Sequence, residues 1–595
     1  MPTTIYDNSL ITKRRRDKTI SGSFISRISP WHVVPAGQNY VETFTNQPTT
    51  GYAPLSGIYD QSIINTVING QMTDYRKNDG GCTTADLGCP CNPPTILLNT
   101  SIINAKFYVV SQFSDTISAT SGDGSIFSPT INPVKAGNIS ICLVQYDNQQ
   151  NIQWMTRIGS TTGDLLTPSV LADIDSNVYV SGRTNASSIV FYNNNDPNPV
   201  YNLSLIGNQF IWIAKYNANG IFQWAAYLDA NYDNFYFTPH ITVDTLANVY
   251  ITGMYYNSTL NIYEANNNVS VNGLTSSGSW GNFLVKYNSG GTYLWSTKIL
   301  GSANVNVPDI VCDSNNNVFI ASFFEATINI YDTTSISSVN TLISKGNRDD
   351  YLIKYNSSGV IQWRIQIGGT IFERRANIYQ DKDNNIYISG FYNSDPLSFY
   401  NYDDTTTISI SNGGSDDMYL AKYNSIGVAQ WATRISGSSS EKQPYITVDN
   451  LNNISVIGTS TSSSIDIFNS GSLSADLTIN FNASPTLFLV QFNSTGQVNW
   501  GTYMGNNDES VFRAAITSDV DNNLYVTGNY NVNMNFYNSD NYVVPNKSLT
   551  YNGSPTVFVT KYDSSGNCLL ISKIECNNGG YAEAPSISSS YKLWQ

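Results

Sequence analysis

Few side chains in this 595-residue chain have the type and spacing that chemistry requires. The two histidines, His32 and His240, lie far apart, and neither sits in a nucleophile elbow or a zinc-binding helix motif. His240 falls on a segment of inner-strand character, in a slot related to Asp309 and Gln443 further along. There it reads as a polar channel-lining side chain more simply than as a general base. Two Asp-x-Asp-x-Asn runs, Asp173/Asp175/Asn177 and Asp381/Asp383/Asn385, set oxygen donors at alternate positions, as Ca²⁺ ligation would require. They lack the glycine and distal glutamate of a calcium loop, and an Asx-capped hairpin turn accounts for them. Cys82, Cys89 and Cys91 could offer thiolates to zinc, but the spacing is not that of a zinc ribbon. Free thiols or an intersubunit disulfide suit them better. No metal, cofactor or catalytic residue is therefore expected.

Charge is scarce and uneven. Charged residues make up 12% of the chain, about half the usual ~25%. Residues 1–100 hold 8 basic and 7 acidic groups, whereas 101–595 hold 22 and 37, a net −15. The first 27 residues carry +4, centred on Lys13, Arg14, Arg15 and Arg16. An acidic body argues against nucleic acid binding there and leaves the basic tip as the one place for it. A solvated arm meeting an acidic neighbour explains the tip equally well. No run of ~18 apolar residues and no apolar segment of signal-peptide length after Met1 is present, so a soluble protein without a membrane span is expected.

The elements that must carry these residues repeat. A Tyr-Asn-x-x-Gly-type turn followed by tryptophan recurs at Trp154, Trp224, Trp295, Trp363, Trp431 and Trp500, at intervals of 70, 71, 68, 68 and 69 residues. A seventh copy puts Leu570 in the tryptophan slot. A fixed period of this length means one supersecondary unit copied and stacked. Each copy holds four short β-branched and aromatic runs separated by Asn, Asp and Gly breaks, the signals of hairpins. Alternation such as Ile386/Ile388 against Tyr387/Ser389 predicts strands with two distinct faces. The 25–30 residues between the second and third strands carry a paired pattern of their own, as at Leu397–Tyr400 and Ile408–Ile410, which predicts an extra hairpin on every blade. The tryptophans, at a fixed strand position, are expected to be buried in blade-to-blade packing and not to offer a glycan-stacking surface.

Segments 283–291, 367–370 and 381–390 resemble the bacterial-type β-propeller repeat (SBBP) family over about residues 105–590. That resemblance implies the fold and carries no catalytic motif. The expected architecture is all-β: a seven-bladed β-propeller over 101–595, closed by N- and C-terminal strands in one blade. Ser586–Ser589 would be innermost, beside Phe107–Ser111. An irregular N-terminal arm, residues 1–100, precedes it with one short helix, where Tyr59, Ile63, Val67 and Ile64, Ile68, Met72, Tyr75 follow helical spacing. The arm resembles those of virion proteins of large AT-rich DNA viruses. The expected function is a non-enzymatic structural or interaction protein of a virion or surface layer. It would form a homo-oligomer, or join viral structural proteins, through Lys13, Arg14, Arg15, Arg16, Trp31, Cys82, Cys89 and Cys91. A lectin-like or peptide-binding propeller is the alternative, and an enzyme using the channel the third reading.

Overall fold

The computed structural model describes Gln71–Met72, Leu98–Asn99 and residues 106–589, apart from 129, 136–137, 230–238, 257, 277–278, 482–485, 506–513 and 577–581. The chain divides into two compact units, Met1–Asn104 and Ala105–Gln595. In the first, Gln71–Met72 pairs antiparallel with Leu98–Asn99. This corrects the expected helix at its C-terminal part, because Met72 is extended. Gly70 costs a helix about 1 kcal/mol relative to alanine beside β-branched Thr66, Val67 and Ile68, so a ladder partner prevails. The rest of that helix lies outside the described residues, as do Lys13, Arg14, Arg15, Arg16, Trp31, His32, Cys82, Cys89 and Cys91.

The second unit is all-β, with no helix among its described residues. Its strands form antiparallel sheets of propeller-like repeats, each built on four strands. In one repeat these are Glu373–Gln380, Ile386–Tyr392, Asp417–Tyr423 and Ala429–Gly437. Asp381 closes the first turn, its Oδ1 accepting the backbone N–H of Asp383 at 3.0 Å and of Asn385 at 2.8 Å. Asn424 closes the second, accepting from Ile426 at 3.2 Å and Val428 at 2.9 Å. Local side-chain capping of this kind is what Asx residues supply in tight turns.

All seven residues of Ile386–Tyr392 are buried. The alternation read from the sequence therefore separates two cores, not core from solvent. Ile386 and Ile388 pack into one cluster with Ile378 and Phe399, while Tyr387 joins another with Trp431 and Val456. Sheets stack face to face on both sides, so central strands have no wet face.

The insert between second and third strands does form a hairpin, but on the neighbouring sheet. Ser188–Tyr192 with Pro199–Ser204 lies in sequence between Val178–Thr184 and Phe210–Tyr216, yet it pairs with Ile152–Gly159 of the preceding repeat, Phe191 opposite Ile158. Thr259–Tyr263, Leu397–Tyr400, Ser464–Ile467 and Met534–Phe536 do the same. Second and third strands pair with each other within a repeat, so the edge within reach is the preceding fourth strand. At one place the exchange fuses two sheets. Val318–Ile330 and Asn340–Tyr355 run through both, with a register shift between Glu325 and Thr327 and Ala326 at φ 57°.

The ends of the array share sheets. Ala582–Ser589 pairs with Phe107–Phe113, Val110 opposite Ser586, and Ile117–Ala119 pairs with the end of Cys568–Cys576. One apolar cluster joins Phe107, Val109 and Val144 to Tyr525, Val557 and Val559. No helix among the described residues is long and apolar enough to cross a membrane. Truncation after residue 581 strips Phe107–Phe113 of one of its two partners and bares that edge, which templates aggregation. The shortened protein should aggregate or melt well below the full chain, as thermal denaturation followed by light scattering will show; an unchanged melt would refute the dependence.

Candidate functional site

The recurring polar residues meet at the junctions between repeats. Trp154, Trp224, Trp295, Trp363, Trp431 and Trp500 each donate the indole Nε1–H to a turn carbonyl of the next repeat, at 2.9–3.2 Å. Five of these six carbonyls accept a second donor from the strand beside the tryptophan: Lys215 Nζ reaches Ser289 O at 3.3 Å, and Lys354 Nζ reaches Ser425 O at 3.2 Å. The turn glycine lies against the indole ring. Gly220, with φ 70°, would place a Cβ 3.0 Å from the Trp154 ring, and Gly291, with φ 83°, one 2.9 Å from that of Trp224. A side chain at either position would be strained by its backbone and would crowd the ring. One face of the ring is thus covered by backbone. Trp154, Trp224 and Trp431 are buried, whereas Trp295, Trp363 and Trp500 keep a minor part of their surface exposed. Their cover is a turn without a side chain at its closest point, not a sheet.

The Asp-x-Asp-x-Asn runs are hairpin caps. Asp381 accepts from Asn385 Nδ2 at 2.8 Å and from the Tyr387 hydroxyl at 3.1 Å, with Lys422 Nζ at 3.5 Å. Asp173 accepts likewise from Asn177 and Tyr179. Each asparagine turns its amide N–H toward the aspartate, the opposite of what a shared cation would need. Buried Lys–Asp pairs recur at Lys286–Asp244, 3.2 Å, and Lys354–Asp313, 3.4 Å. Where Gln491 replaces the lysine, burial pushes the Asp449 carboxyl above the usual carboxylate range.

Residues of seven first strands line a cavity of about 430 Å³, within the range of small-molecule sites. Ser169, His240, Asp309, Asn377, Tyr445, Ala515 and Ser586 occupy equivalent ladder positions on these strands. Gln443, expected in this slot, is displaced by the bulge between Lys442 and Tyr445 and adopts φ 59°. Four donors converge on the Asp309 carboxylate: His240 Nδ1 at 2.8 Å, Asn377 Nδ2 at 2.6 Å, and the backbone N–H groups of Ile310 at 2.9 Å and Ile378 at 2.8 Å. The pair fixes the imidazole ring with Nδ1 engaged. Such a ring can hydrogen-bond a ligand or take a proton from it, but supplies no nucleophile of its own.

The sequence reading missed a group of buried acids. Asp350, Glu373, Asp417 and Glu441 are fully buried. Asp350 accepts only from the Tyr419 hydroxyl, at 2.6 Å, and Asp350 Oδ1, Asp417 Oδ1 and Glu441 Oε2 have no hydrogen-bond partner among the described residues. Burial pushes Asp350 up to about 8, Glu373 to about 9 and Asp417 to about 7. The available signal was the pair of acidic doublets, Asp349-Asp350 and Asp416-Asp417, entering third strands one repeat apart.

Residues 153–189 match the beta-propeller repeat family SBBP, so the chain carries that repeat. It is 26% identical, over 86% of its length, to an uncharacterized WD repeat-containing protein of Acanthamoeba polyphaga mimivirus, and spans 42% of that relative. Among solved structures, a protein of unknown function from Dyadobacter fermentans is similar at 8% identity and TM-score 0.28, over 69% of this chain and 95% of that one. The NanB sialidase of Streptococcus pneumoniae is similar at 7% identity and TM-score 0.25, over 79% and 94%.

Two outcomes are expected. Trp224→Ala should cost about 3–5 kcal/mol, the range for emptying a large buried aromatic site, and Trp295→Ala, at a partly exposed position, should cost less. Urea denaturation of both decides it, and equal small losses would contradict the packing. The buried acids keep their protons in the fold where the unfolded chain, at ordinary values of 3.8 for Asp and 4.5 for Glu, has lost them. Their stability contribution is therefore fully present below about 4 and is lost as pH rises toward about 9. Melting temperature should fall over that span, and Glu373→Gln should flatten the slope.

Proposed function

We propose that this chain is a non-enzymatic structural or interaction protein: a seven-bladed propeller closed by its N- and C-terminal strands in one blade and assembled through its N-terminal arm. The contact made between successive repeats is also made between the last and the first, and this observation carries the reading. Lys561 Nζ donates to Asn148 O at 2.7 Å and the Tyr525 hydroxyl to the same carbonyl at 3.1 Å, much as Lys286 Nζ donates to Ser357 O at 3.1 Å. Further support comes from the recurring Trp, Lys, Asp and Asn side chains, which are spent on holding repeats together and not on a ligand. The similarity to a mimivirus protein supports a viral setting, and with it a place in a virion. Residues 1–100 and 101–595 would then be arm and propeller, with Lys13, Arg14, Arg15, Arg16, Trp31, Cys82, Cys89 and Cys91 at contacts with copies or viral structural proteins.

A second reading, a ligand-binding propeller, is favoured by one observation, the His240–Asp309 pair held in a 430 Å³ cavity. Light scattering separates the two. Assembly requires the full chain to associate, with a rate that falls as salt rises, because charge attraction is screened beyond ~8–10 Å near physiological ionic strength. A chain that stays monomeric and binds a small molecule in the cavity would replace the first reading with the second.

A further inference from the structure

The outer hairpins share a feature that packing does not require. Each exposes a large apolar side chain at or beside its turn. Ile336 is 100% exposed, Leu473 97% and Val543 79%; Val269, Ile126 and Val200 follow at 68%, 67% and 42%. Tyr402 holds the corresponding place in the remaining hairpin, at 48%. Single exposed aliphatics on a surface need no explanation. Their return once per repeat does, in turns that are mostly polar and whose sequences differ from one hairpin to the next.

An acidic residue with exposed or partly exposed surface accompanies the apolar one at six of the seven turns; at the Ile336 turn the acid, Asp332, is buried and bonded to Thr334. Asp123, Asp403, Asp476 and Asp540 are exposed there, and Asp196 and Glu264 are partly so. An apolar side chain beside a carboxylate suits a partner segment that is basic and apolar together. This chain contains such a segment in its first unit. Lys13, Arg14, Arg15, Arg16 and Lys18 are followed by Ile20, Phe24, Ile25, Ile28 and Trp31, with one basic residue, Arg27, among them. The body that would receive it carries a net −15, so bodies repel one another and a basic arm draws them together.

We infer that the hairpin turns of one copy are the docking surface for residues 13–31 of another. The exposed aliphatics would hold the apolar side chains of the arm, and the turn carboxylates would pair with its basic tip. This rests on the assembly reading and names the surface that the arm reaches.

Three full-length proteins test it: the unaltered chain, Ile336→Ser/Leu473→Ser/Val543→Ser, and the chain with Lys13, Arg14, Arg15 and Arg16 changed to Gln. Ile336, Leu473 and Val543 are exposed, so the hairpin changes should leave melting unchanged, and the melt of the arm variant is measured beside it. Light scattering against concentration should show association of the unaltered chain weakened about tenfold by the hairpin changes, and weakened at low salt by the arm changes. Carbodiimide coupling, which joins an amine to a carboxylate in contact, should link Lys13 or Lys18 to Asp403, Asp476 or Asp540 of another copy. If the arm changes weaken association and the hairpin changes do not, the docking surface is wrong and assembly through the arm stands. If the unaltered chain is monomeric throughout, or neither variant alters its association, both fall.

Discussion

A single carbonyl in each repeat determines how the next one sits. The Ser289 carbonyl accepts from Trp224 Nε1 at 3.0 Å and from Lys215 Nζ at 3.3 Å, both supplied by the preceding repeat. The Ser357 carbonyl does the same for Trp295 and Lys286, at 3.0 and 3.1 Å. Two donors on one oxygen fix position and angle together, and the glycine that follows lets the indole lie on the backbone. The lysine must reach that oxygen from between two sheets, where an unpaired ammonium is costly. The capping aspartate of its own repeat meets that need. Turn, tryptophan, lysine and aspartate are therefore one device, and the 69-residue period is the distance at which it can be repeated.

Much of this was legible in the sequence because turns and strands are local. Asn424 with Gly427, and Asp381 with Asn385, announce their hairpins through side chains that bond their own backbone. The pairing of Ala582–Ser589 with Phe107–Phe113 was legible too, since the spacing within a repeat carries across the ends. What escaped was long-range. Nothing in Leu397–Tyr400 says which sheet edge is free, and its pairing with Ile361–Gly368 follows from geometry that a linear pattern does not hold. Burial on both faces of Ile386–Tyr392 was hidden for the same reason: tyrosine and serine look like a wet face until a second sheet covers them.

The candidate site divides in the same way. His240 stood out as a lone histidine, and its place on a first strand followed from register. Its bond to Asp309 depends on two adjacent strands meeting at one height, which spacing alone could not give. The buried acids were missed because a carboxylate is read as exposed by default, and Asp350 becomes an exception only when Tyr419 and the surrounding sheets close over it. Asp313 lies in the same kind of interior, but with the Lys354 ammonium 3.4 Å away as its partner.

The sharing of strands between the two ends sets an order in time. Thr120 is bonded to Lys573, 453 residues further along, and Phe107–Phe113 waits for Ala582–Ser589. A ribosome adding roughly 5–20 residues per second reaches those partners only after roughly 20–90 s. Through that interval the earliest sheet lacks its first strand, and Ile117–Ala119 has no neighbour to extend. The nascent chain must keep two open strand edges apart from other nascent chains until its last segment emerges. Slow, long-range closure of this kind makes yield of the native protein sensitive to translation rate and to chaperones that cover strands, more than to the stability of any single repeat.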